Sequence, residues 1–116
     1  MSHAKLVRDK IPEIVRERGA EPVTRIADAD EYRGLLRDKL VEEVDEFLNS
    51  EDPHELADVL EVLLALASDL GVDQDQLEKL RVAKVSERGG FSRRIVWSGN
   101  LPAEGQTAHV GLTSNA

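Results

Sequence analysis

Leu36, Leu40, Val44 and Phe47 recur every three or four residues, the period of one face of an α-helix. Asp28 stands three residues before Glu31, the spacing of a capping box in which each side chain satisfies a free backbone N–H. Together these predict a long helix from about Asp28 to Phe47. The stretch Asn49-Ser50-Glu51-Asp52-Pro53 then reads as a tight connector. Asp52 suits an N-cap and Pro53 a first helical position, so a second long helix should run to about Leu70, where Gly71 stops it. So short a connector makes the two helices antiparallel neighbours. A third helix is expected from about Asp75 to Arg88, with Leu77, Leu80 and Val85 as core contacts and Gly89-Gly90 as a sharp stop.

The flanks are less regular. Leu6-Val7-Arg8 reads as extended, and Asp9 as the cap of a short helix with Pro12 in its first turn and Gly19 at its end. Val23-Thr24-Arg25-Ile26 is a brief extended stretch, and Phe91 to Trp97 a short extended arm. From Gly99 onward the chain is poor in apolar residues and reads as a flexible tail. The expected fold class is all-α: a small helical bundle on an antiparallel pair, with a third helix and short irregular arms. It occupies residues 1–98, with a tail over 99–116.

Composition narrows the function. The only aromatics are Tyr32, Phe47, Phe91 and Trp97, so the core must be built from Leu, Val, Ile and Ala. With no cysteine, disulfides, thiolate metal sites and cysteine nucleophiles are excluded, which suits a cytoplasmic protein. The most apolar stretch, Val59 to Leu70, is broken by Glu61 and Asp69 and is too short to span a bilayer. The net charge is −8, and residues 28–62 hold thirteen acids against three bases. Such a surface repels a nucleic-acid backbone. A small polyphosphate is still admissible, because a divalent cation can bridge it to carboxylates.

Two acidic groups carry the candidate chemistry: Glu42-Glu43-Val44-Asp45-Glu46 and Glu55-Leu56-Ala57-Asp58. At 100° per residue Glu43 falls inside the arc set by Leu36, Leu40 and Phe47, with Glu46 at its edge and Glu42 further out. A carboxylate facing a core is costly without a partner, and a cation is an adequate one. In an antiparallel pair, Glu43 and Glu46 can face Glu55 and Asp58. Four oxygen donors there suit a hard cation such as Mg²⁺. Other roles are open: Glu55 as a capping-box partner of Asp52, Glu42 and Asp45 as a solvated face, Glu61 in a polar stripe with His54 and Ser68, and Glu43 as a buried acid paired with Lys39 or Arg37.

Glu42-Glu43-x-x-Glu46 followed by Glu55-x-x-Asp58-Val59-Leu60 resembles the metal-binding signature of the MazG-type all-α nucleotide pyrophosphohydrolases. The opening Lys5-Leu6-Val7-Arg8-Asp9-Lys10-Ile11-Pro12 and the closing Arg88-Gly89-Gly90-Phe91 look like its phosphoribosyl-ATP-pyrophosphohydrolase-like branch. The resemblance covers about residues 5–95. It implies cleavage of a nucleoside triphosphate between the α and β phosphates, with Mg²⁺, or Mn²⁺ in its place, held by Glu43, Glu46, Glu55 and Asp58. Glu42 and Glu43 are the implied catalytic carboxylates, Glu42 as a base or outer group. Members commonly form homodimers or homotetramers. One departure is that only eight residues separate Glu46 from Glu55, fewer than in many relatives.

On that reading Lys10, Lys39, Lys84 and Arg88 are the candidate phosphate-binding residues, with Arg8 a further one. Lys84 and Arg88, four apart on one helix, can point the same way. The expected function is Mg²⁺-dependent nucleotide pyrophosphohydrolysis, with nucleotide-pool house-cleaning as its role. Two alternatives stand beside it: phosphoribosyl-ATP hydrolysis in histidine synthesis, and a non-catalytic helical interaction module with a degenerate site.

Overall fold

The computed structural model describes residues 4–102. They form four helices, α1 (Ile11–Glu17), α2 (Ala29–Ser50), α3 (Pro53–Asp69) and α4 (Gln74–Arg88), and no strand among the described residues. The all-α class expected from the periodicity is therefore what the chain adopts. The chain divides within α4 into two units, one ending at Leu77 and the other beginning at Glu78. No described helix is long and apolar enough to cross a membrane.

The first unit is organised by α2 and α3, which pack against each other. Glu51 and Asp52 alone connect them, and Glu51 makes the reversal in a left-handed conformation at φ 55°. Arg33, in the first turns of α2, bonds Asp69 at the last residue of α3 at 2.8 Å, as an antiparallel pair requires. The contact has a second purpose. An acid at a helix C-terminus opposes the macrodipole, and the Arg33 guanidinium offsets it.

Sequence capping signals account for most helix ends. Asp28 Oδ1 accepts from the Glu31 N–H at 2.9 Å. The reciprocal half of that capping box does not form, because the Glu31 carboxylate is held by both terminal nitrogens of Arg25. Asp52 caps α3 by accepting from the His54 N–H at 2.9 Å, and Pro53 occupies its first turn. After α3, Gly71 at φ 81° lets its N–H reach Ser68 and the Val72 N–H reach the Ala67 carbonyl, a Schellman ending. The same pair of bonds closes α1 around Gly19.

Three expectations are corrected. Asp9 does not cap α1: Lys10 is the N-cap residue, with no side-chain bond. A turn bonding the Ile11 N–H to the Arg8 carbonyl at 3.0 Å starts the helix instead, and Pro12 has no N–H that needs a cap. Phe91 to Trp97 is not extended from its start, since Arg94 closes a turn onto Phe91 with φ 62°. Leu80 and Val85 are exposed at 56% and 45%, and Leu77 is half-buried. Periodicity proves that an apolar stripe exists, not that anything covers it. Of the expected tail, residues 99–102 are non-helical and 103–116 lie outside the described residues.

The core of the first unit is narrow. Leu36, Val62 and Ala67 are its buried apolar residues, and Glu43 is buried with them.

Candidate metal centre

Helical spacing on α2 puts Tyr32, Leu36, Lys39 and Glu43 on one face, and all four line a cavity of about 400 Å³. The facing wall comes from α3, where Asp58, Glu61, Val62 and Ala65 repeat at the same period. The non-helical segment Leu6–Lys10 forms the third wall. The cavity is thus built from three stretches of the first unit, and its lining combines apolar and charged side chains.

Carboxylate oxygens of Glu43 and Asp58, which line the cavity, and of Glu55 all lie within 4.8 Å of one another. Glu43 comes from mid-α2, and the other two from consecutive turns at the start of α3. Glu43 is only 6% exposed. Its Oε1 is 3.3 Å from Lys39 Nζ, while its Oε2 is buried without a hydrogen-bond partner. Glu55 Oε2 is orphaned in the same way. Asp58 Oδ1 accepts from an Arg8 terminal nitrogen at 2.6 Å.

The capping role considered for Glu55 is not what the structure uses. A capping box would send the Asp52 N–H to the Glu55 carboxylate, but that N–H donates to Ser50 Oγ at 3.2 Å. Glu55 is left to the cluster. The pairing considered between Glu43 and Lys39 does form, yet it satisfies one oxygen of two.

Electrostatics agrees with the geometry. Burial pushes the Glu43 carboxyl above the usual range; Lys39 opposes the rise and the charge of Glu46 adds to it. For Lys39 burial disfavours the charge, but bonds to Glu43 and Glu42 outweigh it and hold the ammonium above its ordinary value. Three clustered carboxylates against the two cations Arg8 and Lys39 leave one negative charge over.

A buried oxygen without a donor needs an explanation, and a missing ion is a standard one. The donor set is all carboxylate, which selects a hard cation over a soft one. The residues therefore fit a divalent ion such as Mg²⁺.

The remaining expected site residues are placed as follows. Glu46 is exposed and stands outside the three-carboxylate group, though near enough to act on Glu43. Glu42 turns to Lys39, with Nζ at 3.3 Å from Oε2, and to Lys5 at 4.0 Å. Lys10 and Lys39 line the cavity. Lys84 and Arg88 are one turn apart on α4 and belong to the second unit.

Comparison with known proteins adds little. A segment of 43 residues, 37% of the chain, is 54% identical to a protein of Mycolicibacterium smegmatis named only as uncharacterized. That segment spans 44% of the relative, less than half its length. The chain matches no family model and no solved structure.

Sequence reasoning did not single out Tyr32 or the bond between Arg8 and Asp58. Tyr32 could have been found, since it precedes Leu36 by one turn on the face that carries Glu43. The Arg8 bond joins residues fifty apart, and no local period reports it.

Proposed function

We propose that the chain is a Mg²⁺-dependent nucleotide pyrophosphohydrolase, hydrolysing a nucleoside triphosphate or related nucleotide to monophosphate and pyrophosphate. The observation that carries the reading is the convergence of Glu43, Glu55 and Asp58 with two buried carboxylate oxygens left unbonded. In a folded chain that arrangement is costly unless a cation completes it. The resemblance of the acid motif and of the terminal strings to the MazG-type enzymes supports the same conclusion.

Glu43, Glu55 and Asp58 would hold the ion, with Glu46 next to them. When bound, Mg²⁺ neutralises charge on phosphate oxygens. The chain's own groups do the rest. Lys10 and Lys39 face the cavity and bind phosphate oxygens. Glu42, half-buried and sharing Lys39 with Glu43, would accept the proton of a water attacking phosphorus in line with the leaving pyrophosphate. Leu36, Val62 and Ala65 give the nucleoside an apolar wall. House-cleaning of the cytoplasmic nucleotide pool is the role this fits; phosphoribosyl-ATP is the competing substrate within the class.

One observation favours a second reading. Leu56, Leu60 and Leu63 form an exposed stripe on α3, a surface suited to association. A non-catalytic interaction module would use that stripe alone. The hydrolase would use it to form a homodimer or homotetramer.

The deciding experiment is pyrophosphate release from standard and modified nucleoside triphosphates and phosphoribosyl-ATP, in Mg²⁺ and in EDTA. Release that EDTA abolishes is the expected result. A folded protein that releases none from any substrate in Mg²⁺ is an interaction module.

A further inference from the structure

Arg8 and Lys39 both sit on the carboxylate cluster, but they are held differently. Lys39 is part of α2, one turn from Glu43 and half-buried. Arg8 lies on a non-helical segment, its side chain is 55% exposed, and its bond to Asp58 Oδ1 is 2.6 Å long. Arg8 is thus a positive group that can leave the cluster without disturbing a helix.

We propose that Arg8 is an internal counter-ion of the metal centre: it holds Asp58 before a divalent cation binds, opposes that binding, and is then redirected to the substrate's phosphates. This rests on the pyrophosphohydrolase reading for the identity of the substrate, though not for the competition itself.

Charge counting gives the reason. The cavity's charged residues with Glu55 are five acids (Asp9, Glu43, Glu55, Asp58, Glu61) against three bases (Arg8, Lys10, Lys39), a sum of −2 that a divalent cation brings to zero. The same side chains therefore repel a polyphosphate before the ion binds and cease to do so afterwards, which leaves the bases able to bind its oxygens. A guanidinium beside a carboxylate that is already neutralised by a metal has lost most of its attraction there. Its planar fork can engage two phosphate oxygens, whereas in the cluster a single nitrogen bonds Asp58 Oδ1. Lys10, two residues away and lining the same cavity, gives the anion a second positive group. Metal and phosphate affinities are then linked, and by reciprocity each raises the other. Arg8 is a positioning residue for the anion as well as a restraint on the cation.

The test is calorimetric titration of the full chain with Mn²⁺ alone, then with inorganic pyrophosphate in saturating Mn²⁺, for the wild type, Arg8→Gln and Arg8→Lys. Without Arg8 the cation meets no competitor, so R8Q should bind Mn²⁺ about threefold more tightly or better, the scale of an exposed ion pair. It should bind pyrophosphate about tenfold more weakly, as expected for loss of a bidentate guanidinium contact. R8K keeps the charge but not the fork, and should resemble the wild type toward Mn²⁺ and R8Q toward pyrophosphate. Because the Arg8 side chain is exposed, thermal melts in EDTA should show R8Q folded.

Mn²⁺ affinity unchanged or lowered in R8Q overturns the proposal, as does pyrophosphate affinity that ignores the substitution. If neither protein binds Mn²⁺, both the counter-ion and the metal centre fall. If the titrations behave as expected while no nucleotide is hydrolysed, the enzymatic reading fails and the role of Arg8 stands.

Discussion

Helices α2 and α3 each supply acids to one cluster, yet they are written in different ways. Seven of the 22 residues of α2 are acidic, and they surround its apolar positions, of which Leu36 is buried while Val41 and Leu48 are exposed. In α3 four of 17 are acidic, and leucines occupy both its inner and outer faces. On α2, an acid is ordinary, and only burial separates Glu43 from its neighbours. On α3, an acid between apolar residues is itself the anomaly, as Asp58 is between Ala57 and Val59. The pair shows that the same side chain carries different information in different surroundings. It also shows that both helices keep apolar side chains exposed after they pack together, Val41 and Leu48 among the acids of α2 and Leu56, Leu60 and Leu63 as a stripe on α3.

The most severe way to break this comparison is to remove an acid from each helix. Asp58→Asn should lower pyrophosphate release by about a hundredfold or more, the scale of losing a key electrostatic group in a site. It should also abolish metal-induced stabilisation, which at a hundred times the dissociation constant is about 2.7 kcal/mol. Asp45→Asn, on the exposed acidic side of α2, should change neither in the same assays. Equal losses from both would mean that the acids act only as a diffuse negative field.

The outer face of α3 can be tested next. Leu60 is 55% exposed in the single chain. Leu60→Glu should weaken self-association by about tenfold or more, since it buries an unpaired charge at a contact. Sedimentation velocity would detect it. A wild type that is monomeric at all concentrations, or an assembly indifferent to the substitution, would show that α3 has no second partner.

Glu43→Gln sharpens the α2 side. Its carboxyl is raised by burial, so the charged form weakens the metal-free fold. The sign follows: the stability is fully present below the ordinary glutamate pKa and is lost as pH rises through the higher folded value. In EDTA at neutral pH the neutral isostere should be more stable by about 1 kcal/mol. The gain should vanish in acid below the ordinary glutamate range. Denaturant titrations across pH would measure it, and a gain that persists in acid would refute the burial argument.

Two smaller effects concern how α2 begins and ends. Glu51→Gly should raise stability by about 0.5 kcal/mol, because a left-handed conformation costs a side chain more than it costs glycine. At the other end, the Arg25 bond holds Glu31 below its usual range. That contribution is present above the ordinary glutamate pKa and is lost as pH falls through the lowered folded value. Arg25→Gln should therefore flatten the acid limb of the stability profile and leave the alkaline side unchanged.

What the sequence made legible was mainly local. Asp28, Asp52-Pro53, Gly71 and Gly89 mark helix ends because caps and glycine stops act within one turn. Glu43 was legible because helical period alone puts it among leucines. Asp9 misled, because a turn replaced the cap it seemed to offer. Leu80 and Val85 misled because burial depends on a partner surface, which a one-dimensional pattern does not contain. The three-carboxylate cluster was legible only in part. Glu46 shares the motif with Glu43, and three residues along a helix turn it by 60° away from Glu43 and toward solvent.

The two-residue link between α2 and α3 also orders events in time. Glu43 precedes Glu55 and Asp58 by only 12 and 15 residues, so the cluster is assembled as soon as that hairpin closes. Helical hairpins of low contact order are among the fastest structures to form. Arg8 must cross a loop of fifty residues to reach Asp58, and closing a longer loop costs more entropy. On the proposed reading, a refolding chain in magnesium-containing solvent would present its carboxylates to the ion before the guanidinium can compete, and the ion would then be a reagent of folding as well as of the finished protein.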